Sequence, residues 1–415
     1  MTTNTRFETQ ATPVVSPLRI PDFRLLWLSM TSISLAVQFY AVALVWLVLE
    51  LTGSGVALGA LLTTAAIPRA ISMLLTGALI DRYPPRRIMI ISALFNGLLM
   101  SIIALLLGGG WMSLTAMFII APLTGLMDAV FYPSTTALVP RLVAREQLAP
   151  ANAMMQTADT VANIIGPALG GIIIGQVGLL PGFVLNAALF FIGFLIICNL
   201  SRATDRHSTG ESEAEQEPFA KAVVSGIRYA LGKAPIRISL LMVAMLNFAA
   251  IGPIVVGGAL LVERRFEADA TMYGVMMGAF GVGSIAGGLI VSALGSVKRP
   301  GLMLVYTIFV LAAGLIGLGF ASSFWVAFAI CFVIGIFGAI TNVNAVTWLQ
   351  MKADAHMQGR VASLLVFSAV ALDPFSNGIA GALAEIDLTL LFVAAGVLLA
   401  VGGVVALFNN TLREE

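Results

Sequence analysis

The sequence predicts an all-α membrane protein with twelve transmembrane helices, and three observations carry that reading. First, 59% of the 415 residues are hydrophobic and only 10% are charged, with a mean hydropathy of +0.99. That is too apolar for a soluble globule. Second, twelve apolar segments recur, near 24–49, 57–80, 88–108, 113–138, 151–176, 180–200, 238–262, 272–295, 302–320, 324–349, 361–384 and 387–408. Each approaches the roughly 20 residues that a helix needs to cross about 30 Å of hydrocarbon. Third, the segments do not alternate at period two, so they read as helices and not as barrel strands.

In chain order, residues 1–22 are polar and carry Pro13, Pro17 and Pro21 without an apolar core and cleavage site. They read as a cytoplasmic tail, not a signal peptide. Residues 23–200 hold the first six spans. Residues 201–235 are the only long polar stretch, poor enough in apolar residues at first to form a flexible linker. Within it, Phe219, Val223, Ile227 and Leu231 oppose Lys221 and Arg228, the pattern of an amphipathic helix at the inner membrane surface. Residues 236–408 hold six more spans, and 409–415 form a second tail.

Loop charge sets the expected orientation. With both termini cytoplasmic, Arg82, Arg86, Arg87, Arg141, Arg145, Lys298, Arg299, Lys352 and Arg360 all fall inside, against Arg264 and Arg265 outside. The positive-inside rule favours that placement, in the cell (inner) membrane. Net charge is +1, which implies no nucleic-acid partner. The two cysteines, Cys198 and Cys331, lie within spans, so neither a disulfide nor a metal site is expected.

The linker divides the chain six plus six, and the halves echo each other. "GALI" at 77–80 recurs as "GGLI" at 287–290, and "IIGPALGGII" at 164–173 aligns with "PFSNGIAGAL" at 374–383, both at an offset of 210 residues. Two pseudo-symmetric six-helix bundles with a site between them are a transporter plan.

Between spans two and three the chain reads "GALIDRYPPRRIMII". This resembles the inner-loop motif of the major facilitator superfamily, matching at Gly77, Leu79, Asp81, Arg82 and Arg86, with Pro84 and Pro85 as departures and Arg87 following. Span five carries "GPALGG", Gly166, Pro167, Gly170 and Gly171, similar to the superfamily's antiporter motif. "FRLLW", "VWLVLELTGSGVALG", "IPR" and "FYPSTTALVPRLVAREQLAPANA" resemble the group of enterobactin exporters and macrolide efflux proteins. The resemblance implies a central cavity that opens alternately to each side. Two positions depart from it: Ala121 stands where many drug exporters have arginine, and Val37 and Gln38 where an acidic residue is expected.

The intramembrane ionisable residues are Arg69, Asp128, Asp159 and Asp373. Each costs roughly 2.5–3.5 kcal/mol at a span centre, so each needs a partner or a wet cavity. They are the candidates for proton coupling. Gln156, Asp159 and Asn163 share one stripe of span five, Arg69, Ser72 and Thr76 one stripe of span two, and Asp373, Ser376 and Asn377 form a third patch. The alternative is a permanent Arg69–carboxylate pair that clips spans two, four and five together. Gln38, Tyr40, Tyr132, Asn163, Asn247, Asn342 and Asn344 are candidates to line a cavity or to bond between helices. Asp81, at a helix end, is placed to meet a neighbouring helix dipole and gate the inner side, with Arg82, Arg86 and Arg87 also holding the loop inside.

The expected function is secondary active export of amphipathic small molecules such as drugs or siderophores, by exchange with protons, as a monomer in the lipid bilayer. No phosphate-binding loop or catalytic constellation is present, so neither an ATP-driven pump nor an enzyme is expected, and no cofactor. The alternatives are a uniporter or symporter for a lipid, metabolite or sugar, and a non-transporting sensor or assembly partner.

Overall fold

The computed structural model describes residues 16–201, 228–294, 300–354 and 357–408, leaving aside the side chains of residues 74, 75, 77, 78, 81, 294, 300, 350, 359, 360 and 362. The inner part of the linker, with most of the expected amphipathic helix, lies outside the described residues, as do residues 1–15 of the first tail and all of the second. Among the described residues there are helices and no strands. Twelve helices are long and apolar enough to cross a membrane.

Spans one to six are Pro21–Thr52, Gly55–Arg82, Pro85–Gly108, Leu114–Leu142, Leu148–Val177 and Leu179–Cys198. Spans seven to ten are Ala234–Arg265, Ala270–Leu294, Pro300–Gly319 and Phe324–Lys352. Span eleven comprises Gln358–Val370 and Asp373–Ile386, and span twelve is Leu388–Leu407. Start signals are local: Pro21 and Pro85 open their helices where a missing N–H costs nothing, while Ser54, Ser113 and Asp387 accept a backbone N–H as caps. Two spans are irregular. Pro253 lacks the N–H that would continue span seven, and the chain passes through π-type turns at Pro253–Gly257 and Leu261–Arg265. Pro374 has the same effect in span eleven, which breaks at Ala371 and Leu372.

Short connections make successive spans antiparallel. One end of the molecule, the near end, holds Pro21, Leu407 and the 82–85 and 142–148 turns. The other, the far end, holds Gly53, Gly178, Gly319 and Asp387. Spans one and five, one and six, two and four, three and four, and three and six pack together; the same pairings recur six spans later.

The halves meet through two helix crossings, span two on span eleven and span five on span eight, built alike. A Cβ on Gly59 would meet the Asn377 carbonyl oxygen at 2.5 Å and Gly381 Cα at 3.1 Å. A Cβ on Gly274 would meet the Pro167 carbonyl oxygen at 2.5 Å and Gly171 Cα at 2.8 Å. Pro167 and Gly171 are the positions that the 210-residue offset places on Asn377 and Gly381. The "GPALGG" run is therefore a packing surface: Gly170 lies against Phe39 of span one, and Gly171 against span eight. Small residues let two backbones approach where lipid provides no hydrophobic drive.

At the far end the crossing of spans two and eleven is tied by bonds from charged side chains. Arg264 of span seven donates to Glu385 of span eleven at 3.0 and 3.3 Å and to the Gly53 carbonyl at 2.6 Å. Glu385 accepts the Gly55 N–H at 2.5 Å. Both charged side chains are about one-third exposed. At the near end, Lys233 donates to Asp354 at 2.9 Å and lies 4.7 Å from the centre of the Tyr229 ring.

Two outcomes are expected. Gly274→Val forces a side chain into the Pro167 carbonyl and should lower stability by about 1–3 kcal/mol, read as an earlier melt in detergent. Gly288→Ala on the same helix, whose Cβ faces open space, should leave the melt unchanged. Glu385→Ala removes the acceptor of the Gly55 N–H, a bond between the halves of about 1 kcal/mol, roughly a fivefold shift toward far-end opening. Spin labels at the exposed residues Trp111 and Phe320 should then report longer distances; an unchanged distribution would rule out a latch.

Candidate functional site

Hydroxyls and amides within the spans mostly close on their own helices. Ser72 and Thr76 donate to carbonyls four residues back at 2.7 Å, Asn247 to Val243 at 2.9 Å, and Asn344 to Ile340 at 2.8 Å. Groups that reach across helices are fewer, and they gather at mid-depth around the predicted ionisable residues.

Asp159 is held from span one and from its own helix. Ser34 donates to its Oδ1 at 3.1 Å and Asn163 Nδ2 to its Oδ2 at 3.3 Å. Asn163 in turn accepts from Gln38, so Gln38, Asn163 and Asp159 form one chain of polar groups. Tyr132, 47% exposed, stands within the electrostatic reach of Asp159. Asp128 receives Asn96 Nδ2 of span three at 3.0 Å. Beside it Thr124 donates to the buried Tyr40 hydroxyl at 3.2 Å.

Arg69 sits where Gly125 lets span two come close to span four: a methyl on Gly125 would meet the Ala65 carbonyl at 2.5 Å and Arg69 Cβ at 3.5 Å. Its side chain is exposed. It forms no ion pair and no hydrogen bond among the described residues, yet its field reaches both Asp128 of its own half and Asp373 of the other. The expected alternative, a permanent Arg69–carboxylate clip, is not the arrangement found.

Asp373 begins the second piece of span eleven. Its Oδ1 is buried and has no hydrogen-bond partner, and the same holds for Asn377 Oδ1 one turn on. Asn342 is exposed on span ten, without a hydrogen-bond partner among the described residues. A crevice of about 100 Å³ between spans seven, eleven and twelve, lined by Phe248, Pro253, Ser376, Ile379 and Leu391, is apolar apart from Ser376 and contains none of the carboxylates.

Of the loop motif, Gly77 and Asp81 fall among the side chains left aside. Arg82 and Arg87 are exposed. Arg86 is buried and donates to the Cys198 carbonyl at 2.8 Å, placing a cation at the C-terminus of span six, where the helix dipole favours it. Residues that the sequence reading passed over are Ser34, Asn96, Thr124 and Glu385.

Against known proteins, a family model described as transmembrane secretion effector matches residues 12–414. The multidrug efflux pump Tap of Mycolicibacterium fortuitum is 24% identical over 382 residues, covering 90% of this chain and 92% of that protein. The enterobactin exporter EntS of Salmonella typhi is 26% identical over 367 residues, covering 88% of this chain and 86% of that protein. Two solved structures share the fold. The nucleoside transporter NupG has a TM-score of 0.72 at 12% identity over 95% of this chain and 99% of that one. The peptide transporter POT in complex with sulfate has a TM-score of 0.73 at 13% identity, over 95% and 97%. With twelve apolar spans, transporter neighbours in fold and a family match over nearly its whole length, the chain belongs to the transmembrane secretion effector family of the major facilitator superfamily, multi-pass membrane transporters and not enzymes.

Proposed function

We propose that this protein exports amphipathic small molecules across the cell membrane in exchange for protons, by alternating access between two six-helix bundles, 23–200 and 236–408, about a central cavity. Both termini then face the cytoplasm, the near end is the cytoplasmic end, and the transporter works as a monomer. The substrate class rests on relatives named as a multidrug efflux pump and an enterobactin exporter. The coupling rests on one observation: an unpaired, exposed guanidinium at mid-depth, Arg69, within the field of carboxylates from both halves.

An intramembrane charge without a fixed partner is a functional candidate, because holding it there for structure alone has a cost and no return. Asp128 and Asp373 are the groups whose protonation changes what Arg69 feels. Asp159, joined to Asn163 and Gln38 and facing Tyr132, supplies a polar path on which substrate can rest. The glycine crossings and the bonds from Arg264 and Glu385 to Gly53 and Gly55 hold the halves together at the far end in this conformation. Export requires them to part and the near end to close in turn.

The test is transport by the purified protein in liposomes with an imposed pH gradient, using a fluorescent amphipathic dye. Dye should move against its gradient when protons run the other way, and Asp128→Asn or Arg69→Gln should remove that drive. Flux indifferent to the gradient would end the antiport reading. Neutral variants that still concentrate dye would move coupling away from this cluster.

A further inference from the structure

Most intramembrane polar groups in this protein find partners, which makes the exceptions informative. Buried acceptors with none include Asn96 Oδ1 and Asn186 Oδ1, each standing singly, and Glu263 Oε2 near the far end. At the break in span eleven two fall together: Asp373 Oδ1 and Asn377 Oδ1, four residues apart and so on one face of one helix. Asn377 is 7% exposed.

The neighbouring hydroxyls cannot relieve them. Thr63, across the crossing, directs its hydroxyl to the Gly59 and Pro374 carbonyls, both at 2.7 Å. Ser376 donates to the Phe248 carbonyl at 2.6 Å and accepts the Gly252 N–H at 2.8 Å. Two buried acceptors without a donor are costly. A hydrogen shared between two acceptors four residues apart on one helix face would satisfy both.

We propose that Asp373 and Asn377 are the proton-binding site of this transporter. A proton arriving from water bonds to the Asp373 carboxylate, and the resulting neutral acid donates to the Asn377 side-chain carbonyl. Arg69 of span two is the charged group of the other half whose field reaches Asp373. On the other helices packed against span eleven, the ionisable residues stand at helix ends: Arg237, Glu263, Arg264 and Arg265 on span seven, Lys352 on span ten and Asp387 before span twelve. Glu385 on span eleven itself is taken by Arg264. With the proton bound, Arg69 is attracted only within its own half, toward Asp128. With the proton gone, Asp373 attracts Arg69 from the opposite half. Proton occupancy thereby sets the electrostatic tie between the halves at mid-depth. This coupling step rests on the antiport reading above; the proton site itself does not.

Infrared spectroscopy of the purified protein at neutral pH tests the site without any transport. The carbonyl stretch of a protonated carboxyl should be present in the wild type, lost in Asp373→Asn, and retained in Asp128→Asn and Asp159→Asn. Asn377→Leu should keep the band and move it to higher frequency, as an acid without its acceptor does. A band that persists in Asp373→Asn overturns the proposal, and so does one abolished by adding sodium at constant pH, which would make this a sodium site. If Asp373→Asn fails to fold, the frequency shift in Asn377→Leu still decides. In liposomes, Asp373→Asn should continue to exchange dye between equal compartments while gradient-driven accumulation is lost; retained accumulation overturns the coupling. A wild type insensitive to the gradient would remove the antiport reading and leave the infrared result standing.

Discussion

Hydrocarbon offers no hydrogen-bond partner, and that single constraint shapes every level of this molecule. Backbone groups close within helices. Hydroxyls at Thr31, Thr63, Thr64, Ser72 and Thr76 return to carbonyls on their own helices. Amides at Asn247 and Asn344 do the same. What is left unclosed by local geometry is small: three carboxylates, one guanidinium and the amides between them. Helix packing without a hydrophobic drive then depends on contact alone, and the glycines decide where contact is possible.

The two halves solve the contact problem identically and the polar problem differently. Gly59 on Asn377 and Gly381 repeats Gly274 on Pro167 and Gly171. At the position related by the same offset, however, Asn163 stands in the first half and Asp373 in the second. Asn163 is fully engaged, accepting from Gln38 and donating to Asp159. Asp373 is left with a bare oxygen. One crossing is thus chemically closed and its counterpart is chemically open, on backbones that pack alike. Span seven departs in the same direction: where Gln38 of span one meets Gly166, Phe248 meets Ser376, and the π-type turns that follow have no counterpart in span one.

How much of this could be read from the sequence follows the range of the interactions. The spans were legible because their signal is carried by some 20 consecutive residues. The "GPALGG" surface was legible because its glycines are spaced for one face, and the carboxylates because a charge in an apolar run needs a reason. The partners were not. Ser34 reaches Asp159 across 125 positions and Arg264 reaches Glu385 across 121, and no local pattern announces such pairs. Arg69 shows the same limit from the other side. A permanent pair with a neighbouring carboxylate was the alternative reading, whereas the side chain is exposed and forms no ion pair among the described residues. Asn377 read as one of a polar patch with Asp373 and Ser376, but its unsatisfied acceptor is a property of the surroundings and not of the residue.

An arginine left unpaired between carboxylates of two bodies is costly in any one conformation, and it is useful where there are two. Were it locked to Asp128, the first half would be neutral internally and indifferent to the second. Were it locked to Asp373, the halves would be fixed at mid-depth whichever end was open. Standing free of both, Arg69 can respond to either, and a change of one charge at Asp373 alters the balance without moving a helix first. The far-end crossings supply stiffness that turns this small bias into a choice between ends, since close-packed interfaces are bistable and not continuously deformable. On this proposal the residual electrostatic imbalance at the centre is the feature that the tightly packed glycine crossings exist to transmit.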